Sequence, residues 1–399
     1  MSISPIEDLK AEIDERIPDL IATRRDLHEH PELAFEEVRT ASIVAQRLKA
    51  LGLEVQTGIA KTGVTGLLRG GAAPENARTI AIRADMDALP IYELNELDYR
   101  SQTDDKMHAC GHDGHTSIAL TVADILSKRK SELKGNVKFI FQPAEERIGG
   151  AKPMVEEGAL QGIDAIIGLH LISGVPIGQV GVRSGTVFAS ADSLQFTIKG
   201  KGGHAAMPET AIDPVVISAQ IITALQTLIS REISPFQAAV ITIARLQAGT
   251  AFNIIPEQVV MDGTMRSYDK DTRAYLLQRI TEVAQGIASS MRGSCEVQVI
   301  DGCPPCTNDA GMTGVVRQAA IDTVGVENVN ESDAVRVSGS DDMAYFLDAV
   351  PGCYFIVGSG NSQKETTYPH HHPRFNIDED ALPIAVEVLT RSVFEFFSA

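Results

Sequence analysis

Val137-Lys-Phe-Ile-Phe-Gln-Pro-Ala-Glu145-Glu146 is a short apolar run that passes through a proline turn into two adjacent carboxylates. Such a run, bounded by turn residues, reads as a buried strand. In an open α/β sheet, ligands gather outside the carboxyl ends of the strands. Thr79–Ala84 runs in the same way into Asp85-Met-Asp87, and Ala165–Leu169 into His170; Val64–Leu68 is a further apolar strand. Helical patterns lie around them, over Ile6 to about Leu27, Val38–Leu51, Thr116–Ser127 and Ala151–Glu156. Alternating strands and helices predict an α/β protein with a mostly parallel sheet and helices on both faces.

Outward from that core the pattern changes. Ser193–Lys199 alternates apolar and polar residues, and Asp213-Pro214 opens a helix to about Ser230, an N-cap followed by proline at the first helical position. Strands Ala238–Leu246 and Gln258–Ser267, a helix Thr272–Met291 and a strand Glu296–Ile300 follow. This is the β-α-β-β-α-β order of a ferredoxin-like α+β unit. After it come helices Asp309–Asp322 and Asp341–Leu347, a strand Cys353–Val357 and a last helix from Ala381. The chain of 399 residues therefore divides into 1–183 with 301–399, a discontinuous domain, and an insert, 184–300.

Composition narrows the partners. Hydrophobic residues make 44% of the chain and charged ones 22%, as in globular proteins. The net charge of −18 argues against nucleic acid or an anionic membrane surface, which attract basic proteins. No run reaches a membrane-spanning length, and Met1-Ser-Ile-Ser-Pro-Ile-Glu-Asp8 lacks the pattern of a signal peptide. The five cysteines are an odd number, which suits a reducing compartment. A cytoplasmic protein is expected.

The chemistry concentrates in Met107-His-Ala-Cys110-Gly-His112-Asp-Gly-His115-Thr116, which holds a thiol, three imidazoles and a carboxylate. Thiolate, imidazole and carboxylate are the donors of zinc and its neighbours. Tyr368-Pro-His370-His371-His372-Pro373 adds three imidazoles late in the chain. Taken singly, Glu145-Glu146 also fits a solvated helix start, and His170 a satisfied core histidine. Together with the cysteine cluster, these strand-end groups point to a metal site. Cys303-Pro-Pro-Cys306 has redox-like spacing, but no second cysteine pair accompanies it, and it reads as a loop with two incidental thiols.

The segments Arg83–Pro90, His108–His115, Gln142–Glu146, Gly168–His170 and His371–Phe375, in that order, resemble the amidohydrolase branch of metallopeptidase family 20. That branch holds hippurate hydrolases, bacterial aminoacylases and auxin-conjugate hydrolases. The resemblance runs nearly end to end. It implies two divalent metal ions (Zn, Mn, Co or Ni) held by Cys110, His112, Glu146, His170 and His371, with the Cys110 thiolate bridging. It makes Glu145 the general base and acid, places Asp87 behind a ligand, and leaves His108 and His115 as neighbours. Asp85 stands where other branches carry a histidine ligand. Gly200–Pro208, Phe252–Pro256 and Gly263–Ser267 also look like the family's motifs, which implies that the insert is a lid and dimerisation domain. His204 would then polarise the substrate carbonyl or stabilise the oxyanion, often from across a dimer interface, and Asn253 and Arg266 would hold the substrate's polar end. The implied function is hydrolysis of N-acyl amino acids to a carboxylic acid and a free amino acid, by a metal-bound water activated by Glu145. A dipeptidase, carboxypeptidase or N-carbamoyl amino acid hydrolase is the alternative, and a non-catalytic metal or peptide binder the remote one. Ser340-Asp341-Asp342-Met343 departs from the Ser-Glu-Asp-Phe-like segment of relatives.

Overall fold

The computed structural model describes residues 8–147 and 149–398, and the side chain of Asp301 is not described. Ile6, where the first helix was expected to begin, lies outside those residues. The described chain forms two compact units. One comprises the chain through Val187 with Thr307–Arg336 and Asp342 onward; the other comprises Phe188–Cys306 and Val337–Asp341.

The larger unit is built on an eight-stranded sheet. Its centre is parallel: Asn136–Gln142, Thr79–Asp85, Ala165–Pro176 and Gly352–Gly360 lie side by side in that order. Every residue of Thr79–Asp85 and of Gly352–Gly360 is buried, as expected of strands covered on both faces. An antiparallel edge, Glu54–Ile59 on Gly63–Leu68, flanks them. The Glu54–Ile59 strand was not expected. Its sequence, Glu-Val-Gln-Thr-Gly-Ile, is half polar and largely exposed, so it carries no apolar run.

The helix His112–Lys128 buries all but a few of its residues, packing between the sheet and the helices Ile17–Glu29 and Ala381–Ser398. It begins four residues before the expected start. Gly111 is the reason: at φ 89° it holds the left-handed turn that only glycine adopts freely, and Cys110 and His112 are set on either side. Gly114 lets the helix approach the sheet, because a Cβ there would stand 2.6 Å from Leu171 Cδ1. The expected first helix is two, Leu9–Asp14 and Ile17–Glu29, broken ahead of Pro18.

The smaller unit has a four-stranded antiparallel sheet in the order Ala239–Ala248, Gln258–Ser267, Ala191–Lys199, Ser294–Cys303. Helices Pro214–Thr227 and Lys270–Ser290 supply Ile217, Ile221, Leu225, Leu276 and Ile280 to its core. This is the split β-α-β-β-α-β arrangement. Asp213 caps the first helix through the amide of Val215 at 2.8 Å, and Asp269 caps the second through that of Thr272 at 2.7 Å. Strand Ser294–Cys303 runs past the expected end at Ile300, and the unit's main segment, Phe188–Cys306, is joined by Val337–Asp341 from beyond the expected boundary.

Candidate metal centre

Five segments of the larger unit bring their side chains to one place. Cys110, His112 and His170 can direct Sγ and ring nitrogens to within 4.8 Å of one another, and so can the donors of Cys110, Glu146 and His371. Cys110 belongs to both groups. His170 Nε2 lies 3.6 Å from its sulfur, and His371 Nε2 lies 3.3 Å from Glu146 Oε2.

The backbone fixes which nitrogen of each ring is free. His112 donates from Nδ1 to the Asp87 carbonyl at 2.9 Å, and His170 from Nδ1 to the Leu171 carbonyl at 2.9 Å. Each ring therefore turns Nε2 to the cluster, the nitrogen a metal-bound histidine would offer. The Asp87 carboxylate accepts the amides of Glu145 at 3.0 Å and Glu146 at 3.1 Å. It thus sets the carboxylate pair, while its carbonyl sets His112.

His115 is excluded as a donor although it lies near Asp85 and His112. Its Nε2 accepts the Leu171 amide at 3.0 Å and its Nδ1 donates to Asp85 Oδ1 at 2.6 Å, so both nitrogens are occupied. Asp85 Oδ2 takes Arg83 Nη1 at 2.7 Å. Burial opposes its charge, but His112, Arg83 and His115 hold its carboxyl well below the usual range. Asp342 extends this buried network, accepting from Gln142 Nε2 at 2.6 Å, the Ala151 amide at 2.9 Å and Arg83 at 3.2 Å. Asp341, its neighbour, belongs to the smaller unit, where its carbonyl accepts from Cys303 Sγ at 3.3 Å.

The residues fit a pair of cations. Two buried atoms aimed into the cluster, His112 Nε2 and Glu146 Oε1, have no hydrogen-bond partner, a costly state for buried polar atoms. Burial and the charges of Glu146, Glu145 and Asp85 push the Cys110 thiol well above its ordinary value. Burial lowers the His112 imidazole, yet Asp85, Asp87 and Glu146 carry it up to about 10. Two divalent cations would satisfy the orphaned atoms, hold the sulfur as thiolate and displace the proton from His112.

Sequence reasoning missed His370. Its Nε2 accepts the Ser173 amide at 3.4 Å, which turns Nδ1–H toward Cys110 Sγ at 3.5 Å. The signal was present in the run of three histidines, but only the backbone decides which ring faces the sulfur. His371 occupies the left-handed region at φ 64°, with its amide on the Ala109 carbonyl at 2.9 Å. His108 is fully buried, and neither ring nitrogen has a partner. Burial and the neighbouring His28 hold it neutral, at about 3. Among the described residues no metal-competent group includes Cys303 or Cys306, and all five cysteines are free and buried.

The remaining candidates lie in the smaller unit. His204 and Asn253 line one hollow with Gly202, Gly203 and Pro256. His204 pairs across the strands with Ile254, and its Nδ1 accepts the Ala206 amide at 3.1 Å. Arg266 is not part of that hollow; it lies on the Gln258–Ser267 strand and donates to the Met265 carbonyl at 3.0 Å and to Thr264 Oγ1.

A parallel α/β sheet beside which thiolate, imidazole and carboxylate donors gather in one cluster fits a metal-dependent hydrolase. The chain belongs to Peptidase family M20/M25/M40, whose model matches residues 81–395. It is 41% identical over 367 residues to the N-acetylcysteine deacetylase of Bacillus subtilis strain 168, covering 92% of this chain and 93% of that protein. It is 38% identical to thermostable carboxypeptidase 2 of Saccharolobus solfataricus, covering 95% of each. A solved Bacillus subtilis structure described as a dinuclear metal binding peptidase of family M20 matches with a TM-score of 0.83 at 36% identity, covering 96% of this chain and 99% of that one. The protein is a metal-dependent amide hydrolase.

Proposed function

We propose that the chain hydrolyses the amide bond of N-acyl amino acids, releasing a carboxylic acid and a free amino acid. The observation that carries this reading is the pair of three-donor groups sharing Cys110, with the Glu145 carboxylate 3.9 Å from His112 Nε2. Cys110, His112 and His170 would hold one divalent cation, and Cys110, Glu146 and His371 a second. When bound, such ions polarise the scissile carbonyl and acidify water.

The protein's own residues do the rest. Glu145, nearly buried and fixed through its amide by Asp87, takes a proton from the attacking water. As the carbon–nitrogen bond breaks, it gives that proton to the departing amine. His204, with Nδ1 occupied, presents Nε2–H, the donor that an oxyanion needs. Arg266 and Asn253 are assigned to the substrate's carboxylate, which suits a guanidinium fork.

The deacetylase relative supports the acyl amino acid class, and the carboxypeptidase relative keeps a short peptide as the second reading. The free, buried cysteines suit a reducing, cytoplasmic setting. A homodimer through the smaller unit is proposed on the Ala239–Ala248 strand, which lies at the sheet edge with Val240 and Leu246 exposed, the kind of edge that pairs with another chain. Light scattering that finds only monomers would remove the dimer.

The test is amine release from N-acetyl amino acids, N-benzoyl amino acids and dipeptides, with Mn²⁺, Co²⁺, Ni²⁺ or Zn²⁺ analysed in the same preparation. Turnover of the acyl amino acids above the dipeptides is expected; the reverse order would establish the peptidase reading. Glu145→Gln should lose about 10²–10⁴ in turnover with its metal content unchanged.

A further inference from the structure

Glu37 stands at the N-cap position of the helix Val38–Ala50, but its side chain makes no capping hydrogen bond. Glu32 does that work, accepting the amides of Arg39 and Thr40, each at 2.8 Å. The Glu37 side chain is fully buried and turned into the unit. Its Oε1 accepts the amide of Phe35 at 3.0 Å and that of Ala144 at 2.9 Å, and its Oε2 accepts the hydroxyl of Thr62 at 2.5 Å.

Phe35 and Ala144 are both in the left-handed region, at φ 65° and 54°, where a Cβ is strained. One oxygen therefore holds the amides of two strained residues. The next two amides after Ala144, those of Glu145 and Glu146, end on the two oxygens of Asp87. Three consecutive amides are thus held by two buried carboxylates. A left-handed residue just before Glu145 decides where the following side chains point, and it persists only where its surroundings over-determine it.

We infer that Glu37 is a positioning residue for proton transfer: by holding the Ala144 amide it fixes the turn that aims the Glu145 carboxylate. The inference rests on Glu145 being the proton-transfer group. The Glu37 carboxylate bonds to Phe35, Ala144 and Thr62, none of them a metal donor, so its effect must pass through the 143–146 turn.

The test uses the metal-loaded enzyme and four variants, Glu37→Ala, Glu37→Asp, Glu37→Gln and Glu145→Gln. Steady-state kinetics on the best N-acyl amino acid are read beside hydrogen exchange of the peptide spanning 137–150. Gln keeps a neutral acceptor for both amides and offers an N–H to Thr62, so Glu37→Gln should stay near wild type. Glu37→Ala should lower kcat about 10- to 100-fold, the scale of a small misplacement of a reacting group. KM should stay within about twofold, metal per chain should not change, and exchange at 144–146 should quicken. Should the alanine variant fail to fold, Glu37→Asp carries the test, with the acceptor drawn back and kcat lowered in the same sense. A wild-type kcat in the folded alanine or aspartate variant overturns the inference. So does a loss in Glu37→Gln equal to that in Glu37→Ala. If Glu145→Gln keeps full turnover, the reading of Glu145 falls instead, and that result is separate from the exchange at Ala144.

Discussion

In the larger unit His112 and His170 are buried, each with one nitrogen on a backbone carbonyl and the other facing the Cys110 cluster. In the smaller unit His204 is exposed, on a two-residue strand, with its ring on the amide of Ala206. The first arrangement spends burial, tautomer and charge on one geometry before any ligand arrives. The second presents a donor to solvent and asks little of its surroundings. Substitutions in the two regions should therefore fail differently: the buried cluster through metal and stability, His204 through turnover alone.

The largest effect is expected at Cys110. Its sulfur belongs to both donor groups, so Cys110→Ala should deplete both ions rather than one. Mass-spectrometric metal analysis after dialysis checks this, and two tightly held ions in the variant would break the bridging role. His204→Ala sharpens the contrast from the other side. Turnover should fall about 10²-fold, as on removal of an oxyanion donor, while metal content and thermal midpoint stay at wild-type values. A lowered midpoint would show that His204 is structural after all.

Asp85 offers an intermediate case: its Oδ2 stands 3.7 Å from His112 Nε2, but its carboxylate hydrogen bonds go to Arg83 and His115. In Asp85→Asn one oxygen can still serve His115 Nδ1–H, but the amide nitrogen then faces Arg83. That leaves a buried guanidinium short of one partner and loosens the brace from His115 to Leu171, next to His170. Metal affinity should weaken about 10- to 100-fold, the range for residues that orient metal ligands. Competition with a chromogenic chelator measures it; unchanged affinity would make Asp85 a purely structural charge.

Legibility in the sequence followed the same division. Residues that act through side-chain donors stand in compact motifs that are legible in the sequence, and the donor atoms of Cys110, His112, Glu146, His170 and His371 converge, although the strand expected to end before His170 runs on to Pro176. Residues that act through someone else's backbone left no such mark. Glu37 sits in Pro31-Glu-Leu-Ala-Phe-Glu-Glu37 and looks like any acidic residue before a helix, because its partners Ala144 and Thr62 are far away in sequence. The ring that faces the Cys110 sulfur beside His170 was equally hidden, since His370, His371 and His372 differ only in backbone conformation. The Glu54–Ile59 strand escaped for a related reason: an exposed edge needs no apolar face.

The smallest effect is expected away from the cluster, and it gives the comparison its baseline. Asp124 accepts from Arg16 Nε at 2.6 Å and Lys128 Nζ at 3.0 Å on the partly exposed face of the His112–Lys128 helix. Burial raises its carboxyl, but Arg16 and Lys128 outweigh that and hold it below the usual value. A carboxyl lowered by folding adds stability that is complete above its unfolded pKa of about 3.9 and fades as pH falls through the folded value. Asp124→Asn should therefore cost under about 1 kcal/mol near neutral pH, as partly exposed ion pairs do. The gap between wild type and variant in urea unfolding should close as the pH is taken below the carboxylate range. A gap that persists undiminished in acid would mean that Asp124 contributes through packing or neutral hydrogen bonds.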